Sequence, residues 1–177
     1  MTDPSSFNPA SFSPAPFKCI LFEKRVRFRL PADWLEGEEA GIGIFHPPHP
    51  GGGTLRVTSE VLRHGGPPGD GDLAAATGVI LRQTAENFVR PDDPRGSDRV
   101  IEQLDDGSLI ASYSARTEID GEKLVIYLWM RGKTMGEAVT IAVFSFAMAA
   151  EDDGGEAFAA IVGMLDSEIR AVGLGQG

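Results

Sequence analysis

Between Lys123 and Met148 the chain carries two long apolar runs, KLVIYLWM and VTIAVFSFAM, joined by the polar stretch RGKTMGEA. In the first run apolar residues occupy both parities. Leu124, Ile126, Leu128 and Met130 fall on one, and Val125, Tyr127 and Trp129 on the other. In the second run Val139, Ile141, Val143 and Ala147 alternate with Ala142, Phe144, Phe146 and Met148. A sheet wet on one side alternates apolar with polar, so a strand apolar on both faces has to be covered on both. Each run alone is also compatible with a buried helix. Their β-branched and aromatic content, and Gly132 and Gly136 in the loop between them, favour a β-hairpin. The rest of the chain has to supply two covering layers.

The segments before the hairpin read as follows. A strand from about Cys19 to Leu30 alternates Val26, Phe28 and Leu30 with Arg25, Arg27 and Arg29, and Pro31 stops it, since proline cannot donate to a ladder. Trp34 and the acids Glu36, Glu38 and Glu39 follow in a turn-rich stretch. A short strand covers Gly41 to His46, the loop HPPHPGGG follows, and a third strand runs from Thr54 to Leu62. Leu73, Thr77, Ile80, Leu81, Thr84 and Phe88 form a helical stripe that Pro91 ends, with Asp70 or Asp72 expected as its cap. Strands over Arg99–Leu104 and Ser108–Ile119 then lead into the hairpin through the turn signals Asp105-Asp106-Gly107 and Asp120-Gly121, which make neighbours antiparallel. A second helical stripe, Phe158, Ile161, Val162, Leu165, Ile169 and Val172, closes the pattern.

The expected class is therefore α+β: a mostly antiparallel seven-stranded sheet with packed helices, three strands, a helix, four strands and a helix in order. Residues 1–17, rich in proline and serine, read as a flexible arm, 18–173 as one domain, and 174–177 as a flexible tail. A chain of 177 residues buries enough surface to need no metal or disulfide staple.

Composition narrows the function classes. The formal charge is −10, from 26 acidic against 16 basic residues, a balance unsuited to nucleic acid or anionic membranes. The single cysteine, Cys19, forms no internal disulfide and fits a reducing, cytoplasmic setting. Neither apolar run reaches the roughly 20 residues of a membrane span, and the N-terminus lacks a secretory pattern.

Motifs for catalysis are missing from the sequence. The serines of the predicted strands lie outside any G-x-S-x-G elbow, and GGGT at 51–54 precedes a strand, whereas a phosphate cradle opens a helix. His46 and His49 are weak metal candidates in one loop, without a cysteine pair, and His64 stands at the far end of the next strand. No cofactor is implied. The binding candidates are the basic strip Arg25, Arg27 and Arg29, with Arg56 on the third strand as its extension, and the aromatic residues Tyr127 and Trp129. If all strands share one sheet, these residues border a half-basic, half-apolar groove suited to an acidic protein partner, arginine being the residue that best pairs with carboxylates. The bland alternatives are a solvated edge for the arginines and a core role for the tryptophans.

FRLPADW at the end of the first strand, GIGIFHPP, GTLRVTS before a helix, and the closing hairpin and helix together resemble the PsbP/Mog-like fold family over about residues 20–172. Within that family the chain resembles the DcrB-like and type VI secretion adaptor-like bacterial branch. The resemblance implies a binding or adaptor domain, not an enzyme, since members include an extrinsic photosystem subunit, a Ran-binding nuclear factor and effector chaperones. It carries over no functional residue. The expected function is a non-catalytic protein-binding or adaptor/chaperone-type domain with one protein partner, no nucleic acid and no membrane insertion. Homodimerisation is left open. The alternative is a small-ligand-binding protein or cryptic enzyme using a groove on the sheet face.

Overall fold

The computed structural model describes residues 16–63 and 73–175. In chain order the strands and helices are β1 (Phe17–Phe22), β2 (Val26–Pro31), β3 (Leu35–Glu39), β4 (Ile42–His46), β5 (Thr54–Arg63), α1 (Leu73–Phe88), β6 (Gly96–Gln103), β7 (Leu109–Ile119), β8 (Glu122–Met135), β9 (Ala138–Ala149), α2 (Glu156–Arg170) and β10 (Gly173–Leu174). Seven strands form one antiparallel sheet in the order β3-β4-β5-β9-β8-β7-β6, and β1-β2-β10 form a smaller sheet. The expected class, α+β with a seven-stranded antiparallel sheet and packed helices, is the class observed. The proposed caps Asp70 and Asp72, His64 and most of the N-terminal arm lie outside the described residues.

Three details depart from the sequence reading. The first strand is a hairpin, not one strand. It reverses at Glu23 and Lys24, both left-handed (φ 46° and 60°), with the Arg25 amide donating to the Phe22 carbonyl at 3.1 Å. Two positive φ values in succession define a type I′ turn, normally announced by Asn or Gly; here nothing announces it. Second, the hairpin belongs to the small sheet, and its place in the large one is taken by β3, whose residues are all exposed and whose LEGEE sequence has no apolar period. Third, RGKTMGEA is not a loop. β8 and β9 pair out to Met135 and Ala138, and only Gly136 and Glu137 turn.

Each face of the large sheet has its own core, as the doubly apolar hairpin requires. On one, Val125, Trp129, Phe144 and Phe146 meet Val26, Phe28 and Leu30 of the small sheet and Leu165 and Ile169 of α2. On the other, Leu81, Ala85 and Val89 of the α1 segment meet Leu109, Met130, Val139 and Ile141. α1 lies against the β8 backbone at Gly132, where a Cβ would stand 2.2 Å from Leu81 Cδ1.

Arg131, in the stretch read as a loop, is among the largest fully buried side chains, at 1% exposure. It continues the Val125–Tyr127–Trp129 face toward the end of α2. Its guanidinium donates to the Ile169 carbonyl at 2.9 Å, to the Arg170 carbonyl and to Ser108 Oγ at 2.6 Å. The last carbonyls of a helix lack internal partners and carry partial negative charge, so a buried cation there is matched. Burial pulls the Arg131 pKa down, and Asp106, 4.0 Å away, opposes the shift.

Candidate functional site

The α1 layer does not reach across its face of the sheet. It packs on β7, β8 and β9 toward Gly132. Away from that end, Ile42 and Ile44 of β4 and Leu124 and Ile126 of β8 are half-buried and belong to neither core. Strand register makes them one surface. Ile44 stands opposite Arg56, Arg56 opposite Ser145, and Ser145 opposite Leu128; one step along, Thr54, Ala147 and Ile126 form a parallel row. Directly paired residues share a face, so Arg56 projects between Ile44 of β4 and Ser145 of β9, with the aliphatic residues of β8 one strand beyond.

A groove of about 850 Å³ opens at one end of this surface, reaching Leu124 and Arg56. Thr54, Arg56, Leu124 and Ala147 line it from the strands, and the proline- and glycine-rich loop after β4 lines it with His46 and His49. Leu35 and Ile119, 59% and 52% exposed, border it, as do the acids Glu122, Glu151 and Asp152. Arg56 is exposed and makes no hydrogen bond or ion pair among the described residues. A cation with no ion-pair partner beside an apolar surface can pair with a carboxylate, and such a surface gains from burial.

The structure separates the residues that the sequence grouped. Arg27 and Arg29 point outward from the small sheet, because Val26, Phe28 and Leu30 fill the core between the sheets. Arg56 points out of the large sheet on the far side of the same sandwich, so the four arginines do not form one strip. Arg29 is already engaged: it forks onto Glu168 of α2 at 2.9 and 2.8 Å and lies over the Phe17 ring. Its pKa is raised by the hydrogen bond to Glu168 and then by the charge of Glu168. Arg25 stands 3.7 Å from Glu23 in the β1–β2 turn. Tyr127 and Trp129 lie under α2 and not beside the arginines, the indole donating to Asp166 at 3.0 Å and the phenol to Asp153 at 2.8 Å. The aromatic face of the hairpin is the covered one; the aliphatic face runs out of helix.

His46 and His49 do come together with Arg56 along one groove. Among the described residues no three histidine, cysteine or acidic side chains converge as a metal site would require. No helix among them is long and apolar enough to cross a membrane. Leu35 and Ile119 were missed from the sequence because a lone exposed apolar residue carries no pattern.

No protein-family model matches the chain, and the comparison with curated proteins finds no match. Solved structures do match. LpqN of Mycobacterium tuberculosis, described as involved in cell envelope biogenesis, superposes with a TM-score of 0.55 at 12% identity over 93% of this chain and 87% of its own. A variant of Mog1 gives 0.50 at 10% identity over 90% and 96%. The fold is PsbP/Mog-like. A protein of Bacteroides thetaiotaomicron gives 0.53 at 17% identity over 85% of this chain, which spans 45% of that protein's length. At such identities the likeness extends to the fold and no further.

Proposed function

We propose that this PsbP/Mog-like domain is a non-catalytic, cytoplasmic protein-binding module of the adaptor or chaperone kind, and that its partner docks on the uncovered sheet face around Arg56. The observation that carries this reading is the set of half-buried aliphatic residues Ile42 and Ile44 of β4 and Leu124 and Ile126 of β8 on one uncovered face, with Arg56 between the two strands and without an ion pair among the described residues. A contiguous apolar surface rimmed by polar residues marks protein–protein interaction sites or ligand-binding grooves. The lone exposed thiol of Cys19 supports the reducing compartment.

The test is co-purification from the native host with three variants. Arg56→Glu and Ile126→Asp should each strip the partner, whereas Arg27→Glu, on the opposite outer surface, should retain it. Retention of the partner by both groove variants, or loss only with Arg27→Glu, would overturn the assignment of the face.

A further inference from the structure

A second cleft, of about 340 Å³, opens on the other face of the sheet beside α2. Its floor is Ser112 and Ser114 of β7, which stand directly opposite Trp129 and Tyr127 of β8. Small hydroxyl residues thus sit beside large rings on a face that is otherwise core. Valine at both positions would suit a strand better and fill the space. The Ser112 hydroxyl has no partner among the described residues. On the α2 side the cleft meets Gly163, where a Cβ would touch nothing within 4 Å. Glycine is a poor residue for a helix interior, so the opening is kept at some cost to α2.

The aromatic wall is fixed in place. Tyr127 and Trp129 stack at 6.2 Å with their planes 23° apart, each anchored to a carboxylate, Asp153 or Asp166. Both of those acids have a cation, Arg116 and Arg170 respectively. Asp98, on the opposite wall, does not. Its carboxylate accepts only long bonds, 3.4 Å, from Ser97 and Ser114, and it makes no ion pair among the described residues. A bulge in β6 between Ser97 and Val100 and a left-handed backbone at Asp98 (φ 53°) place it there. The Tyr127 phenol is pushed up to about 12, by burial first and Asp153 next, with Asp98 contributing, which fits a carboxylate facing that ring.

An aromatic ring attracts cations through its quadrupole, and an uncompensated carboxylate neutralises them. We propose that this cleft binds a trimethylammonium group, with the half-buried Tyr127 ring as its aromatic face, Trp129, 3% exposed, stacked behind that ring, and Asp98 as the counter-charge. The group belongs either to a free small molecule or to a trimethyllysine-type side chain of a partner. The site is separate from the Arg56 groove and stands or falls independently of it.

The experiment titrates the full chain with choline, with its neutral isostere 3,3-dimethylbutan-1-ol, and with a short peptide carrying trimethyllysine, followed by tryptophan fluorescence. Saturable binding of at least one cation is expected, with the isostere bound at least about tenfold more weakly. Tighter binding of choline assigns the site to a free small molecule, tighter binding of the peptide to a side chain. Asp98→Asn should weaken binding about fivefold. Gly163→Leu, on an exposed helix position that tolerates a side chain, should abolish it while leaving the thermal midpoint at or above that of the parent. Equal binding of the isostere, unchanged affinity in Gly163→Leu, or no saturation by any cation up to about 20 mM, far weaker than a millimolar complex, overturns the proposal.

Discussion

The Arg131 guanidinium on β8 donates to the Ile169 carbonyl at the end of α2, 2.9 Å away, in a site closed to solvent. Replacing Arg131 by methionine keeps much of the volume but leaves the terminal carbonyls of α2 and Ser108 Oγ without their donor. Such charge-assisted bonds contribute about 1.5–3 kcal/mol each, partly offset by the cost of burying the cation, so Arg131→Met should lower unfolding free energy by about 3 kcal/mol. Urea unfolding measures it. A loss under about 0.5 kcal/mol would mean that water serves those carbonyls equally well.

Contact between Gly132 and Leu81 predicts a coupled pair. Gly132→Ala drives a methyl into Leu81 Cδ1 and should cost about 1–3 kcal/mol. In a chain already carrying Leu81→Ala the methyl has room. The second substitution should then cost less than it does alone, by at least about 0.5 kcal/mol. Strict additivity in a double-mutant cycle would show that α1 is not seated on Gly132.

Asp106 supplies the pH dependence. Its pKa is lowered from 3.8 to about 2, chiefly by the Ser108 hydroxyl, then by the Ser108 amide and by Lys133. A depressed carboxylate stabilises the fold above its unfolded value, near pH 4, and that contribution disappears as pH falls through about 2. Because the side chain is 48% exposed, solvent screening keeps the effect below about 1 kcal/mol. The stability difference between the parent and Asp106→Asn should therefore shrink from pH 5 to pH 2 in urea titrations. A constant difference excludes the mechanism.

Along α2 the burial is graded. Leu165 is fully buried, whereas Phe158 packs on the core with part of its ring in solvent. Leu165→Ala should cost about 3 kcal/mol or more, and Phe158→Ala about 2 kcal/mol, below the range for a fully buried ring. A larger loss at Phe158 than at Leu165 would mean that the first turn of the helix is its anchor.

What the sequence made legible follows from periodicity. The doubly apolar hairpin and both helical stripes are long and regular, and among the described side chains the buried faces follow the pattern. The β1–β2 turn is silent because Glu23 and Lys24 adopt left-handed backbone without glycine or asparagine. β3 is silent because an edge strand exposed along its whole length needs no apolar residue, and its glutamates suit an edge that must not pair. Arg131 was hidden by its own charge, which read as loop although its parity was that of Trp129. For the candidate site, alternation showed that Arg27, Arg29 and Arg56 point outward. It could not show that outward from β2 and outward from β5 are opposite directions, because that depends on the small sheet stacking on the large one.

The pairing of β10 with β2 has a consequence for the order of events in synthesis. Gly173 and Leu174 lie beside Arg27 and Val26, and the acceptors of Arg131 lie only a few residues earlier. A ribosome therefore delivers the first hairpin and the buried cation long before it delivers what closes over them. Until the segment through Leu174 emerges, the nascent chain carries an open apolar face. That interval, rather than the finished domain, is when the protein most needs shielding from its neighbours.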